Sequence, residues 1–270
     1  MTNHPTTDRA ALLSVVHAAA DAAQIITLAH FRSARLDTEN KDAAGFDPVT
    51  KADRDAEAAI RDVLAELRPD DAILGEEHGF RQGTSGLTWV LDPIDGTRGY
   101  ISGTPTWGTL ISLRDASGPI FGMIDQPYIG ERFVGGFGLA ELYRGKDKTT
   151  MSVRPAASLK DSILFSTFPE VGTKTENSAF RALSKNVRLT RYGMDCYAYA
   201  LLAAGQIDLV VEAGLFAYDI QAPIAVIQAA GGIVTNWQGA PAHDGGRVLA
   251  AASEGLHAAA LKILSQAPPD

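Results

Sequence analysis

The stretch Thr88-Trp89-Val90-Leu91-Asp92-Pro93-Ile94-Asp95-Gly96-Thr97 joins an apolar, β-like run to two carboxylates three residues apart around a proline. Burying that run draws Asp92 toward low dielectric, where an unpaired carboxylate is expensive. The proline is expected to halt the strand and Gly96 to permit a tight turn, so that Asp92 and Asp95 converge on one point. A hard divalent cation with oxygen ligands satisfies such a pair. The amides of Gly96 and Thr97, beside the same point, suit an anion such as phosphate. Asp-Pro and Asp-Gly are also common turn dipeptides, so this stretch alone leaves a capped turn open.

Two further acidic features weigh against the turn. Ala72-Ile73-Leu74-Gly75-Glu76-Glu77 repeats the pattern of apolar strand, glycine and paired acids. Phe216-Ala217-Tyr218-Asp219 places another carboxylate at the start of a helix, where Asp alone would read as an N-cap. Four acids, each at the end of an element, make a stronger case for a cation together than singly.

Outward from this stretch, the first half opens with apolar residues at three- and four-residue spacing, predicting a helix over 8–31. A polar loop over 37–47 follows, then a second helix over 53–67 that stops before Pro69. Short β-like runs then succeed one another without helices between them, which points to a largely antiparallel sheet carrying two helices on one face. From about Lys146 strands and helices alternate, with helices expected over 175–183, 197–205, 220–230 and 253–264. The chain therefore divides into 1–146, with most of the acidic cluster, and 147–270, an α/β layer contributing Asp219. The two halves are expected to share an interface, where a ligand cleft naturally forms.

Composition limits what such a cleft serves. The 270 residues carry 24 Lys+Arg against 32 Asp+Glu, a net charge of −8, which gives no basic footprint for nucleic acid or for an anionic membrane surface. One cysteine, Cys196, excludes an internal disulfide and a cysteine-rich metal knot. No signal-like start and no run of roughly 18 consecutive apolar residues is present. A cytoplasmic setting is the expectation.

Asp47-Pro48-Val49-Thr50-Lys51-Ala52-Asp53, Gly75-Glu76-Glu77, Asp92 to Thr97 and Tyr218-Asp219 occur in the order seen in inositol monophosphatase-like phosphatases, which the chain resembles over nearly its whole length. The resemblance implies an α/β fold of alternating αβαβα layers, Mg²⁺-dependent phosphomonoester hydrolysis with two to three ions, and a homodimer. It implies Glu76, Asp92 and the Ile94 carbonyl as ligands of a first metal, and Asp92, Asp95 and Asp219 as ligands of a second. Thr97 and Glu76 would orient the attacking water, and Asp47 would orient Thr97. The family's usual Trp-Asp-x-Ala-Ala is here Tyr218-Asp219-Ile220-Gln221-Ala222-Pro223, with the proline expected in the first helical turn.

Within that superfamily the texture is most similar to histidinol-phosphate phosphatases, through Asp95 to Ile111 and Arg191 to Tyr199. Asp195 is the discriminating residue. Histidinol phosphate carries an ammonium group that a carboxylate can grip by a charge-assisted hydrogen bond, and Glu212 matches a substrate-contacting position. The alternatives are a helix N-cap for Asp195 and an exposed strand end for Glu212. The expected function is hydrolysis of histidinol phosphate in histidine biosynthesis. An inositol or other sugar phosphate is the alternative substrate, and a non-catalytic metal-binding regulator is a third reading. Cys196, Trp107 and Trp237 read as core residues, and Arg98 as a solvated side chain.

Overall fold

The computed structural model describes residues 9–33, 38–40, 48–155 and 158–267. In chain order the elements are α1 (Arg9–His30), β1 (Thr38–Asn40), β2 (Pro48–Thr50), α2 (Lys51–Leu67), β3 (Ala72–Gly75), β4 (Gly79–Arg81), β5 (Thr88–Asp95), α3 (Thr97–Ile101), β6 (Gly108–Asp115), β7 (Gly118–Gln126), β8 (Glu131–Gly136), β9 (Leu139–Arg144) and β10 (Asp147–Thr150). There follow β11 (Ile163–Ser166), α4 (Lys174–Ser184), β12 (Leu189–Tyr192), α5 (Asp195–Ala203), β13 (Leu209–Phe216), α6 (Ala217–Ala229), β14 (Ile233–Thr235), β15 (Gly245–Ala251) and α7 (Glu254–Leu264).

These elements form five alternating layers. The first sheet has the order β10-β9-β8-β7-β6-β5-β3-β4, antiparallel except where β3 lies parallel to β5. The second has the order β12-β11-β13-β15-β14, with β11 parallel to β12 and β13 and the rest antiparallel. Leu12, Val16, Ala20, Ala56, Ile60 and Leu64 of α1 and α2 bury against Trp89, Leu91, Ile111 and Met123 of the first sheet. α5 and α6 fill the middle layer, where Leu202, Ile220, Ile224 and Ile227 meet Leu110 and Ile124 of the first sheet and Val210 and Ala250 of the second. α4 and α7 cover the outer face through Phe180, Leu183, Leu256 and Ala260.

α6 is apolar around most of its circumference, with a buried run from Ile220 to Ile227, as a helix enclosed between two sheets must be. The most apolar 18-residue window of α1 has a mean hydropathy of 1.5, so by length and composition that helix is able to cross a membrane. One face of it lies in the core, and His17, Asp21 and Gln24 interrupt the apolar run.

Two expectations are corrected. Pro93 does not halt the strand: β5 runs on to Asp95 through a β-bulge, with Asp92 opposite Leu110 and Asp95 opposite Gly108. A bulge tolerates a residue without an amide proton, and the Pro93 carbonyl accepts the Thr109 hydroxyl at 2.8 Å. Second, α6 begins at Ala217, so Pro223 lies inside the helix rather than in its first turn. Its missing amide cannot donate to the Asp219 carbonyl one turn earlier.

Candidate metal centre and cleft

Each acid of the candidate centre reaches it from the end of an element. Parallel pairing sets Gly75 beside Leu91, and the Glu76 amide donates to the Leu91 carbonyl at 3.2 Å, so Glu76 comes level with Asp92 just past the end of β3. The bulge in β5 brings Asp92 and Asp95, two positions on one strand, toward the same side. β13 also carries a bulge, between Glu212 and Leu215, before turning into α6, whose first turn contributes Asp219.

Asp92, Asp95 and Asp219 each offer a carboxylate oxygen within 4.8 Å of the other two. Each is also held by a backbone amide: Ile94 N–H donates to Asp92 at 3.0 Å, Cys196 N–H to Asp95 at 2.6 Å, and Phe216 N–H to Asp219 at 2.7 Å. The Cys196 contact crosses the molecule, because a first-half carboxylate thereby receives the N-terminus of α5. Burial raises the Asp92 carboxyl well above its ordinary range, and the charges of Glu76, Asp95 and Asp219 push it further. Asp95 is raised for the same reasons, burial first and then Asp195 and Asp219. Three acids that repel one another yet are fixed by amides suit a hard, multiply charged cation.

Of the predicted metal ligands, Glu76, Asp92, Ile94, Asp95 and Asp219 line one cleft of about 280 Å³, together with Gly96, Thr97, Asp195 and Glu212. Glu76 lies on its wall, outside the tight aspartate triad. The Thr97 hydroxyl donates to the Ile94 carbonyl at 3.2 Å, bringing those two positions together. Asp47 falls outside the described residues.

Asp195 is not a helix cap. It is the first residue of α5, and the Cys196 amide in that first turn donates to Asp95 instead. Its φ of +45° is uncommon for a residue with a side chain. Its carboxylate accepts the Thr106 hydroxyl at 3.2 Å and rests on a glycine shelf, where a Cβ on Gly96 would come within 2.7 Å of Asp195 Cγ. Glu212 is not an exposed strand end. It is 6% exposed and accepts Thr167 N–H at 2.7 Å and the Thr167 hydroxyl at 2.9 Å. Burial pushes its carboxyl up to about 7. Cys196, Trp107 and Trp237 are buried, as expected; Arg98 is exposed, as a solvated side chain should be, with its guanidinium 5.0 Å from the centroid of the Phe168 ring on the cleft wall.

Glu57 escaped the sequence reading. Fully buried on α2, it accepts Glu77 N–H at 2.7 Å and His78 N–H at 3.1 Å while paired with Arg61 at 2.7 Å, and so sets the turn after Glu76. The available signal was an acid beside Ala56 on the apolar face of a helix. Gly75 leaves room for it, because a Cβ there would sit 2.0 Å from Glu57 Oε1. Gly75→Ala is therefore expected to cost about 2–3 kcal/mol of stability through overpacking and to weaken any divalent-cation binding at the neighbouring acids. Urea melts and metal titration check this; an unchanged urea midpoint would mean that Glu57 swings aside freely.

The model of the inositol monophosphatase family matches residues 8–268. A chloroplastic bifunctional phosphatase of Arabidopsis thaliana is 41% identical over 84% of this chain, a match spanning 64% of the plant protein. A histidinol-phosphatase of Streptomyces coelicolor is 35% identical over 94% of this chain and 97% of its own length. Among solved structures, an inositol monophosphatase from Zymomonas mobilis superposes with a TM-score of 0.84 at 36% identity, covering 96% of this chain and all of the other. A fold and a sequence match that both run the length of the described core lead to one assignment: the chain belongs to the inositol monophosphatase family and is a phosphatase.

Proposed function

We propose that the substrate is L-histidinol phosphate, cleaved to L-histidinol and phosphate as a step of histidine biosynthesis in the cytoplasm by a homodimer. The observation that supports this reading is the pair Asp195 and Glu212, two carboxylates in the metal-binding cleft that the aspartate triad does not use. A leaving alcohol with an ammonium group fits such a wall by charge-assisted hydrogen bonds. An inositol or other sugar phosphate is the second reading, favoured by the likeness to the Zymomonas mobilis structure.

Asp92, Asp95 and Asp219, with Glu76 and the Ile94 carbonyl, would hold Mg²⁺. When bound, two to three such ions supply Lewis-acid stabilisation of charge on the phosphoryl oxygens and lower the pKa of water. Thr97 spends its proton on the Ile94 carbonyl, so its oxygen is left to accept a hydrogen bond from the attacking water and align it. Glu76, which lines the same cleft, would orient that water together with Thr97. The amides of Gly96 and Thr97, in the lining of the same cleft, would hydrogen-bond the phosphate. No covalent nucleophile is needed, and burial raises the Cys196 thiol well above its ordinary range.

Phosphate-release kinetics with Mg²⁺ on histidinol phosphate, inositol 1-phosphate, fructose 1,6-bisphosphate and a 3′-phosphoadenylate test the reading. Histidinol phosphate is expected to show the highest kcat/KM. Asp195→Asn is expected to lower that value about 10–100-fold, the worth of a charged hydrogen bond, with a smaller loss on inositol 1-phosphate. Equal losses on both substrates would make Asp195 a structural residue.

A further inference from the structure

Three aromatic side chains stand at the mouth of this cleft without the burial that aromatic residues ordinarily have. Phe216 is 60% exposed and Phe168 is 43% exposed, and both line the cleft with half-buried Tyr218. Phe216 and Tyr218 stack, with centroids 5.3 Å apart and ring planes 25° from parallel. In the same lining the Arg98 guanidinium lies over Phe168, 5.0 Å from the ring centroid.

The exposure of Phe216 is not that of a loose loop. Its amide donates to the Asp219 carboxylate at 2.7 Å, and it pairs with Gly245 at the end of β13. A large apolar surface held rigidly beside a polar centre marks a place where something flat is received. Aromatic faces favour offset stacking with another ring and attract a cationic one. A polyol presents no aromatic face to stack against them.

We propose that Phe216 and Tyr218, with Phe168 in the same cleft lining, form a wall that reads a planar, nitrogen-containing ring on the leaving alcohol. Asp195 and Glu212 hold the ammonium group of the same molecule deeper in the cleft. The proposal rests on the histidinol phosphate reading, to which it adds a second recognition element.

The test separates the two. Ring recognition is read from 2-phenylethyl phosphate against n-butyl phosphate, neither of which carries an ammonium group. Ammonium recognition is read from phosphoethanolamine, which has no ring. Phe216→Ala is expected to raise the KM ratio of phenylethyl to butyl phosphate about tenfold, a loss the size of an aromatic contact with its burial. Phe216→Tyr is expected to restore the ratio. Calorimetry with L-histidinol should show about tenfold weaker binding to Phe216→Ala, and Phe168→Leu should move both readouts the same way.

An unchanged KM ratio in Phe216→Ala would overturn the wall. So would a shift to a smaller species on size-exclusion chromatography, because a second copy of the chain would then be what covers Phe216. If the phenylethyl ratio moves while wild-type enzyme neither prefers histidinol phosphate nor accepts phosphoethanolamine, the wall stands and the ammonium reading falls.

Discussion

Asp92→Asn should abolish turnover and at the same time stabilise the metal-free protein. Asn keeps the shape of Asp, and its carbonyl oxygen can still accept the Ile94 amide that Asp92 accepts at 3.0 Å, so the turn is preserved. What disappears is a charge shared by both expected metal sites. A fall in kcat/KM of at least about 10³ follows if several kcal/mol of charge stabilisation are lost.

The stability effect has the opposite sign. The Asp92 carboxyl is raised well above its ordinary value, by burial first and then by Glu76, Asp95 and Asp219. Between the ordinary and the raised value the folded state binds more protons than the unfolded chain, so stability falls as pH rises through that window. Above it the full cost is present, and Asn does not incur it. With chelator at neutral pH the variant should melt above wild type, and the gap should close below the ordinary carboxylate range. Excess Mg²⁺ should reverse the order. Thermal melts with and without metal, beside phosphate-release assays, measure both halves; a variant that retains Mg²⁺-dependent turnover would remove Asp92 from the ligand set.

Removing the metal is the second large effect. Excess chelator should end phosphate release, and Mg²⁺, but not Na⁺, should restore it. Three carboxylates whose oxygens lie within 4.8 Å of one another repel until a cation is shared among them. A cation at a hundred times its dissociation constant contributes about 2.7 kcal/mol to the folded state. For a chain of this size that corresponds to a rise of about 5–10 °C in Tm. Full activity in excess chelator would contradict metal-assisted hydrolysis, and an unmoved Tm would mean that the triad holds no ion.

Much of this site is legible in the chain itself because each metal-side acid is announced locally. Asp92, Asp95 and Glu76 follow apolar strands, and Asp219 starts a helix. The strand periodicities that separate the two sheets, and the apolar run of α6, are likewise local patterns. Glu57 stayed hidden because its partners are backbone amides twenty and twenty-one residues away, and no spacing rule encodes such a pairing. The path of β5 past Pro93 is hidden from the sequence for a related reason. A proline ends a strand when only its own chain is considered, but a bulge opposite β6 accommodates it.

The chain alone carries the acid inventory and the motif order, and the family resemblance those motifs support is what implied the layered fold. How those acids are used depends on contacts made across the fold. Asp95 receives the amide of Cys196, 101 positions away, so α5 is anchored to the metal centre and Asp195 is released from capping it. Glu212, ambiguous at a strand end, became a buried carboxylate because β11 lies parallel to β13 and brings Thr167 to it. Whether a carboxylate is a cap, a ligand or a substrate contact depends on which donors reach it, and those donors come from segments that only folding brings together.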